Sequence, residues 1–221
     1  MPRLSDMNLP TEIQKANILS AAFLRMGNER GTDWTEGDGR MLFDVVNLIQ
    51  SLLERCVDAA LRSSVMELSV CVRNLFELTV ISDYLSRSSA NRIRFEGECA
   101  LDTLEVMDSL RRIDERDPNN EANLIVQAKQ RELEDKIAFL GLTGKRPRDT
   151  RLIARDIGRE DDFSEIYKVY SKMSHPSAWA ILGGRDVSTE WESLSLYLML
   201  RANGYAAECF QHLFLTISTP T

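Results

Sequence analysis

The chain has 221 residues, 43% of them hydrophobic and 28% charged, with a net charge of −7. This length buries one sizeable core, so one domain over residues 1–221 is the expectation, and the balance is that of a folded globular chain rather than a disordered one. The negative net charge excludes a surface that serves throughout as a nucleic-acid glove, though not a local basic groove.

Glycine and proline are few and clustered, at 11 and 6. The long stretches between them read as helices, and the class expected is all-α. Pro10 opens a first helix to about Met26, and GNERGTDWTEGDG (27–39) forms a polar loop. Over 40–62, Leu42, Val45, Val46, Ile49, Leu52 and Leu53 recur at spacings of three and four, with Asp44, Gln50, Glu54 and Asp58 on other faces. Residues 65–86, VMELSVCVRNLFELTVISDYLS, are apolar nearly all round, which predicts a helix at the centre of a bundle. A fourth helix is expected over about 90–115, a turn at DPNNE (117–121) and a fifth helix over about 122–140 with pairs such as Glu132 and Lys136. GLTGKRP (141–147) ends it; short helices follow at 150–157 and 163–174, and a last long one at about 190–215. The sum is a bundle of about five long helices and two or three short ones: an N-terminal helix and loop over 1–39, then a bundle core over 40–215.

The N-terminus has no apolar core of signal-peptide type. Runs such as LSLYLML (194–200) fall far short of the ~18 apolar residues of a membrane span. Cys56, Cys71, Cys99 and Cys209 all sit in apolar helical patterns with neither CxxC spacing nor a neighbouring histidine. Buried free thiols, a cytoplasmic location and no metal or other cofactor are the corresponding expectations.

Three constellations carry chemistry. Arg73 and Glu77 lie one turn apart inside the most apolar helix, beside Asn74. Charges there need partners. They either pair to fix packing or line a polar pocket. In the second, VYSKMSHPSAWAILGG (169–184), one helix face takes Tyr167, Ser171 and then Ser174 or His175, and Pro176 stops the helix. His175 at a helix C-terminus is either a cap for the last carbonyls or, its charged form favoured by the macrodipole, a general acid or phosphate contact. The other histidine, His212, reads as packing or surface. The third is GKRPRDTRLIAR (144–155), where Lys145, Arg146, Arg148, Arg151 and Arg155 stand against Asp149 alone; Arg87, Arg92 and Arg94 form a second basic cluster. Such islands attract phosphate or RNA backbone, or are simply solvated, and no aromatic residues interleave them for base stacking. GLTGK lacks the spacing of a phosphate loop, and neither HExxH nor GxSxG occurs.

RNLFEL in a central helix, followed about a hundred residues later by the YxxxS...HPS segment, resembles a bacterial all-helical family of unknown function. Its members carry an R-x-x-x-E pattern in one helix and a tyrosine-rich YxxlSxxvHps segment in another. The matching positions are Arg73 and Glu77, then Tyr167, Tyr170, Ser171, His175, Pro176 and Ser177, and the resemblance covers roughly residues 40 to 215. That family looks like a relative of the HEPN-type bundles, many of them dimeric, metal-independent ribonucleases of toxin–antitoxin and phage-defence systems. The usual HEPN site is an arginine, often with a polar neighbour, and a histidine four to six residues on. Arg73-Asn74 matches, but Leu78 stands where the histidine is expected. The resemblance thus implies a polar site of Arg73, Glu77, Ser171 and His175, supported by Asn74, Tyr167 and Tyr170. In RNA transfer to the ribose 2'-hydroxyl, His175 would move protons, Arg73 would stabilise charge on phosphate, Glu77 would hold Arg73 or act as base, and the basic stretch 144–155 would steer the RNA. The competing reading is a non-enzymatic interaction or regulatory module with a buried Arg/Glu/His network, whose partner is another protein or a second copy of the chain.

Overall fold

The computed structural model describes residues 8–29, 38–114, 121–174 and 191–218. They form eight helices and no strand: α1 (Leu9–Glu29), α2 (Asp38–Leu61), α3 (Val65–Ser86), α4 (Ser89–Asp114), α5 (Glu121–Phe139), α6 (Thr150–Asp156), α7 (Glu160–Ser174) and α8 (Trp191–Ser218). Among the described residues, six helices have 19 residues or more and two are shorter, one more long helix than the expected total of about five. The length argument put 1–221 in one domain; the contacts group the chain into two compact units, residues 1–87 with 150–221, and residues 88–149. No helix among the described residues is long and apolar enough to cross a membrane.

In the first unit α3 packs on α2, α6, α7 and α8, and α8 also packs on α1 and α2. Fourteen of the 22 residues of α3 are buried, which is why its sequence is apolar all round. Two of its buried hydroxyls are satisfied inside the helix: Ser69 Oγ donates to the Val65 carbonyl at 2.7 Å and Thr79 Oγ1 to the Leu75 carbonyl at 2.9 Å. All six apolar positions that mark the stripe of α2 are buried. Asn8 caps α1, its Oδ1 accepting the Thr11 N–H at 2.9 Å, with Pro10 in the first turn. The buried Glu12 takes Lys15 Nζ at 2.6 Å and Asn203 Nδ2 at 2.8 Å, tying α1 to α8.

Three helices end in the same motif. Beyond α2, α5 and α6 the residues Ser63, Gly141 and Gly158 adopt φ of 55°, 65° and 80°. In each case the next N–H reaches back five residues: Ser64 to Ala59, Leu142 to Ile137 and Arg159 to Ala154, at 2.8, 3.0 and 2.7 Å. This closes the orphan carbonyls, and glycine takes the left-handed position at two of the three ends.

In the second unit α4 and α5 run antiparallel. Gln130 Nε2 donates to Asp108 Oδ1 and Lys136 Nζ to Glu96 Oε1, each at 2.7 Å. Ala100, Leu101, Leu133 and Ile137 form the core, with Leu104, Met107 and Leu142 against it. Lys136 therefore pairs with Glu96 rather than with the expected Glu132, which takes Lys129 at 2.7 Å instead. Both alternatives lie in reach of long side chains, and the antiparallel neighbour competes with the same helix.

Of the four cysteines, Cys56, Cys71 and Cys209 are buried and Cys99 is exposed, which corrects the expectation for Cys99. The inward face of α4 is taken by Glu98, Ala100 and Leu101, leaving Cys99 outside. Cys56 hydrogen-bonds Cys71 across α2 and α3, and that bond together with burial pushes the Cys56 thiol up. Burial pushes Cys209 up to about 11.

Candidate functional site

Arg73 and Glu77 occupy successive turns of α3 on the side that receives α7. Arg73 Nε donates to Glu77 Oε1 at 3.0 Å. Its Nη2 donates to the Tyr167 hydroxyl at 2.5 Å, and its Cζ stands 4.3 Å from the centre of the Tyr167 ring. Two constellations that lie 94 residues apart in sequence therefore meet as one cluster. The side chains of Arg73 and Glu77 are 19% and 25% exposed, so the cluster touches solvent without opening fully to it.

A stack of aromatic rings runs inward from Tyr167. It lies 5.3 Å from Phe163, which lies 5.5 Å from Phe76, both pairs stacked. Phe76 then meets Tyr205 at 5.3 Å and Tyr170 at 6.5 Å. The periodicity explains this: Phe163, Tyr167 and Tyr170 recur at four and three along α7, so one helix face carries all three. At the inner end the hydroxyls of Tyr170 and Tyr205 are 3.3 Å apart, and Arg201 Nη2 donates to the Tyr205 hydroxyl at 2.6 Å. Burial, then the bond to Tyr205, pushes the Tyr170 phenol well above its ordinary range, so it remains neutral and offers no base. Burial works against the Arg201 charge, but its bonds to Tyr205 and Tyr170 outweigh that and hold its pKa up.

The expected site residues are thus distributed. Arg73, Glu77 and Tyr167 come together; Asn74 is exposed on another face of α3. Tyr170, expected beside them, is buried against Tyr205 because it sits on the inner edge of the α7 face. Ser171 is half-buried on α7, one turn beyond Tyr167. His175, Pro176 and Ser177 lie outside the described residues. Leu78, at the position the HEPN pattern gives to histidine, is 7% exposed and belongs to the core.

The basic stretch divides between the units. Lys145, Arg146 and Arg148 belong to the second unit, Arg151 and Arg155 to α6 in the first. Arg151 Nε pairs with Glu160 Oε1 at 3.1 Å and Arg155 is exposed. Arg87, grouped in sequence with Arg92 and Arg94, is bound by Asp83 at 2.8 Å and by the Ile157 carbonyl at 3.1 Å in the first unit. Among the described residues no group of three or more His, Cys, Asp or Glu side chains is placed to hold a metal ion.

Arg201 and Tyr205 were not singled out in the sequence. The signal was the one that marked Arg73: an arginine inside an apolar helix, with a polar residue four positions on, in LSLYLMLRANGY. No protein-family model, no curated protein and no solved structure matches this chain.

Proposed function

We propose that this chain is a non-enzymatic interaction or regulatory module in which Arg73, Glu77 and Tyr167 form a polar lock that fixes α7 on α3. The observation that carries the reading is the engagement of the Arg73 head. Glu77 holds its Nε, the Tyr167 hydroxyl its Nη2 and the Tyr167 ring its face. An arginine held in this way gives up charge-assisted bonds before it can serve a phosphate, and each such bond is worth ~1.5–3 kcal/mol. Leu78 adds to this, since no proton-transfer group occupies its position. The partner on this reading is another protein, a second copy of the chain included, met through the exposed helix faces.

One observation favours a second reading. The lock is a fifth to a quarter exposed at Arg73 and Glu77, and Ser171 lies one turn along from Tyr167. On that reading the chain is a metal-independent ribonuclease of toxin or phage-defence type. Arg73 steadies the phosphate, Glu77 holds Arg73 in place or serves as a base, His175 moves protons, and Lys145, Arg146, Arg148, Arg151 and Arg155 attract RNA.

The test is incubation of the purified chain with total RNA and with tRNA in EDTA, beside Arg73→Lys and Tyr167→Phe variants whose fold is checked by circular dichroism. The module reading expects no cleavage above the blank from any of the three, and lower melting temperatures for both variants. Cleavage by the wild type that folded Arg73→Lys loses would overturn it in favour of the ribonuclease.

A further inference from the structure

The segment after α5 folds back along α4 rather than leaving it. Gly97 makes this approach feasible: a Cβ there would overlap Leu142 Cδ1 and press on Leu140. Arg148 completes the return, its Nε and Nη2 donating to Glu98 Oε1 and Oε2, the latter at 3.0 Å. Arg94 Nε adds a bond to the same Oε1 at 3.2 Å. Glu98 is 8% exposed and Arg148 11%, so the fork is a built, largely buried floor rather than a surface pairing.

Between this segment and α4 lies a half-open cup of about 540 Å3, inside the ~300–1,000 Å3 range of small-molecule sites. Its two sides differ in chemistry. One wall is aliphatic, with Ile93, Leu101, Leu140 and Leu142; Ile93 is 48% exposed, an apolar side chain kept at the opening. Its polar side carries Arg94, Lys145 and Arg146 above the Arg148 floor, and among the described residues lining it Glu98 is the one carboxylate. Among the described residues Lys145 and Arg146 form no ion pair, and both are exposed. The cationic excess calls for an anion, and several convergent cations favour a phosphate dianion over a carboxylate. Among the described residues no aromatic side chain lines the cup to stack a nucleobase, whereas the aliphatic wall suits a hydrocarbon.

We propose that this cup is a binding site for a small alkyl phosphate, with the phosphate monoester at Arg94, Lys145 and Arg146 and the aliphatic body against Ile93, Leu140 and Leu142. This goes beyond the reading of the α3–α7 lock and uses none of the lock's residues, since every residue of the cup lies in the second unit.

The test is calorimetric titration of the full chain with octyl phosphate below its micelle concentration, beside inorganic phosphate, octanoate and octyl glucoside. Arg146→Gln and Ile93→Gln are the variants, since both replace exposed side chains and their folding is verified by melting. Octyl phosphate should saturate one site, with inorganic phosphate and octanoate each weaker by about tenfold or more and octyl glucoside not binding. Each variant should weaken octyl phosphate by about fivefold or more. A parallel arm offers phosphatidylcholine vesicles with and without phosphatidic acid, to separate a bilayer headgroup from a free ligand. Absence of saturable binding, equal binding by wild type and both variants, or binding to phosphatidic acid vesicles without any to free octyl phosphate would each overturn the proposal.

Discussion

Tyr167 holds Arg73 in two ways at once: its hydroxyl accepts the Nη2 at 2.5 Å while its ring lies 4.3 Å beneath the guanidinium carbon. The two contacts demand the planar, forked head of an arginine, which can donate along its edge and stack on its face together. They also set the register of α7, because a shift of one residue along the helix would carry the tyrosine about 100° round the axis and off the arginine. The ring stack through Phe163 to Phe76 then extends that single contact into the core.

The fork at Glu98 should matter more to stability than any exposed pair on the chain. Glu98→Gln removes the charge that both Arg94 and Arg148 meet in a largely buried place. The expected loss is about 3 kcal/mol, read as a lower urea midpoint for α4 and α5 in hydrogen exchange. Protection in residues 89–149 equal to wild type would contradict this.

Gly97→Ala should loosen the return of the chain on α4. The added methyl must displace Leu142 Cδ1, the far end of a flexible side chain, so the expected cost is about 1–2 kcal/mol rather than failure to fold. Thermal melting gives the magnitude, and Leu142→Ala in the same background should recover part of it. An additive loss from the two changes would count against the packing described.

Ser63 is the one non-glycine described residue with positive φ, at 55°, and it stands where Gly141 and Gly158 close the other two helices. Ser63→Gly relieves the left-handed strain but adds freedom to the unfolded chain. The first effect is the larger, and a net gain of about 0.5 kcal/mol in chemical denaturation is expected. A loss of stability would mean that the serine side chain contributes to the turn.

The thiols should separate by reactivity. Cys99 is exposed, though partial desolvation and then the Asp102, Glu98 and Glu96 carboxylates push its thiol up to about 11. Iodoacetamide at pH 8 should therefore label it slowly in the native chain, and Cys56, Cys71 and Cys209 only after unfolding. Mass spectrometry of the labelled peptides reads this directly; native labelling of Cys56, Cys71 or Cys209 as fast as Cys99 would contradict the burial pattern.

The helices were readable because their signals are local. Residues 65–86 read as one helix with the bounds that α3 has, and the stripe of α2 named its own buried residues, since periodicity reports a face directly. What one helix meets is not local. Arg73 and Glu77 could be recognised as charges needing a partner, and Tyr167 as part of a marked face, but spacing along the chain does not say that α7 lies across α3. For the same reason Arg201 and Tyr205 went unmarked, and the cup on α4 could not be read at all. It depends on Gly97 admitting Leu142 and on Glu98 facing inward, where a charge pattern alone reads as a solvated surface. The basic run 144–155 looked continuous because sequence adjacency hides the division at 149 and 150.

The most direct test of the lock is a double-mutant cycle on Arg73→Leu and Tyr167→Phe, followed by urea denaturation and, on the same four proteins, by RNA cleavage in EDTA. A polar lock predicts a coupling energy of about 1–2 kcal/mol between the two positions, with no cleavage to lose. Coupling within about 0.3 kcal/mol of zero, together with wild-type cleavage abolished by Arg73→Leu in a folded protein, would contradict it and move Arg73 from structure to chemistry.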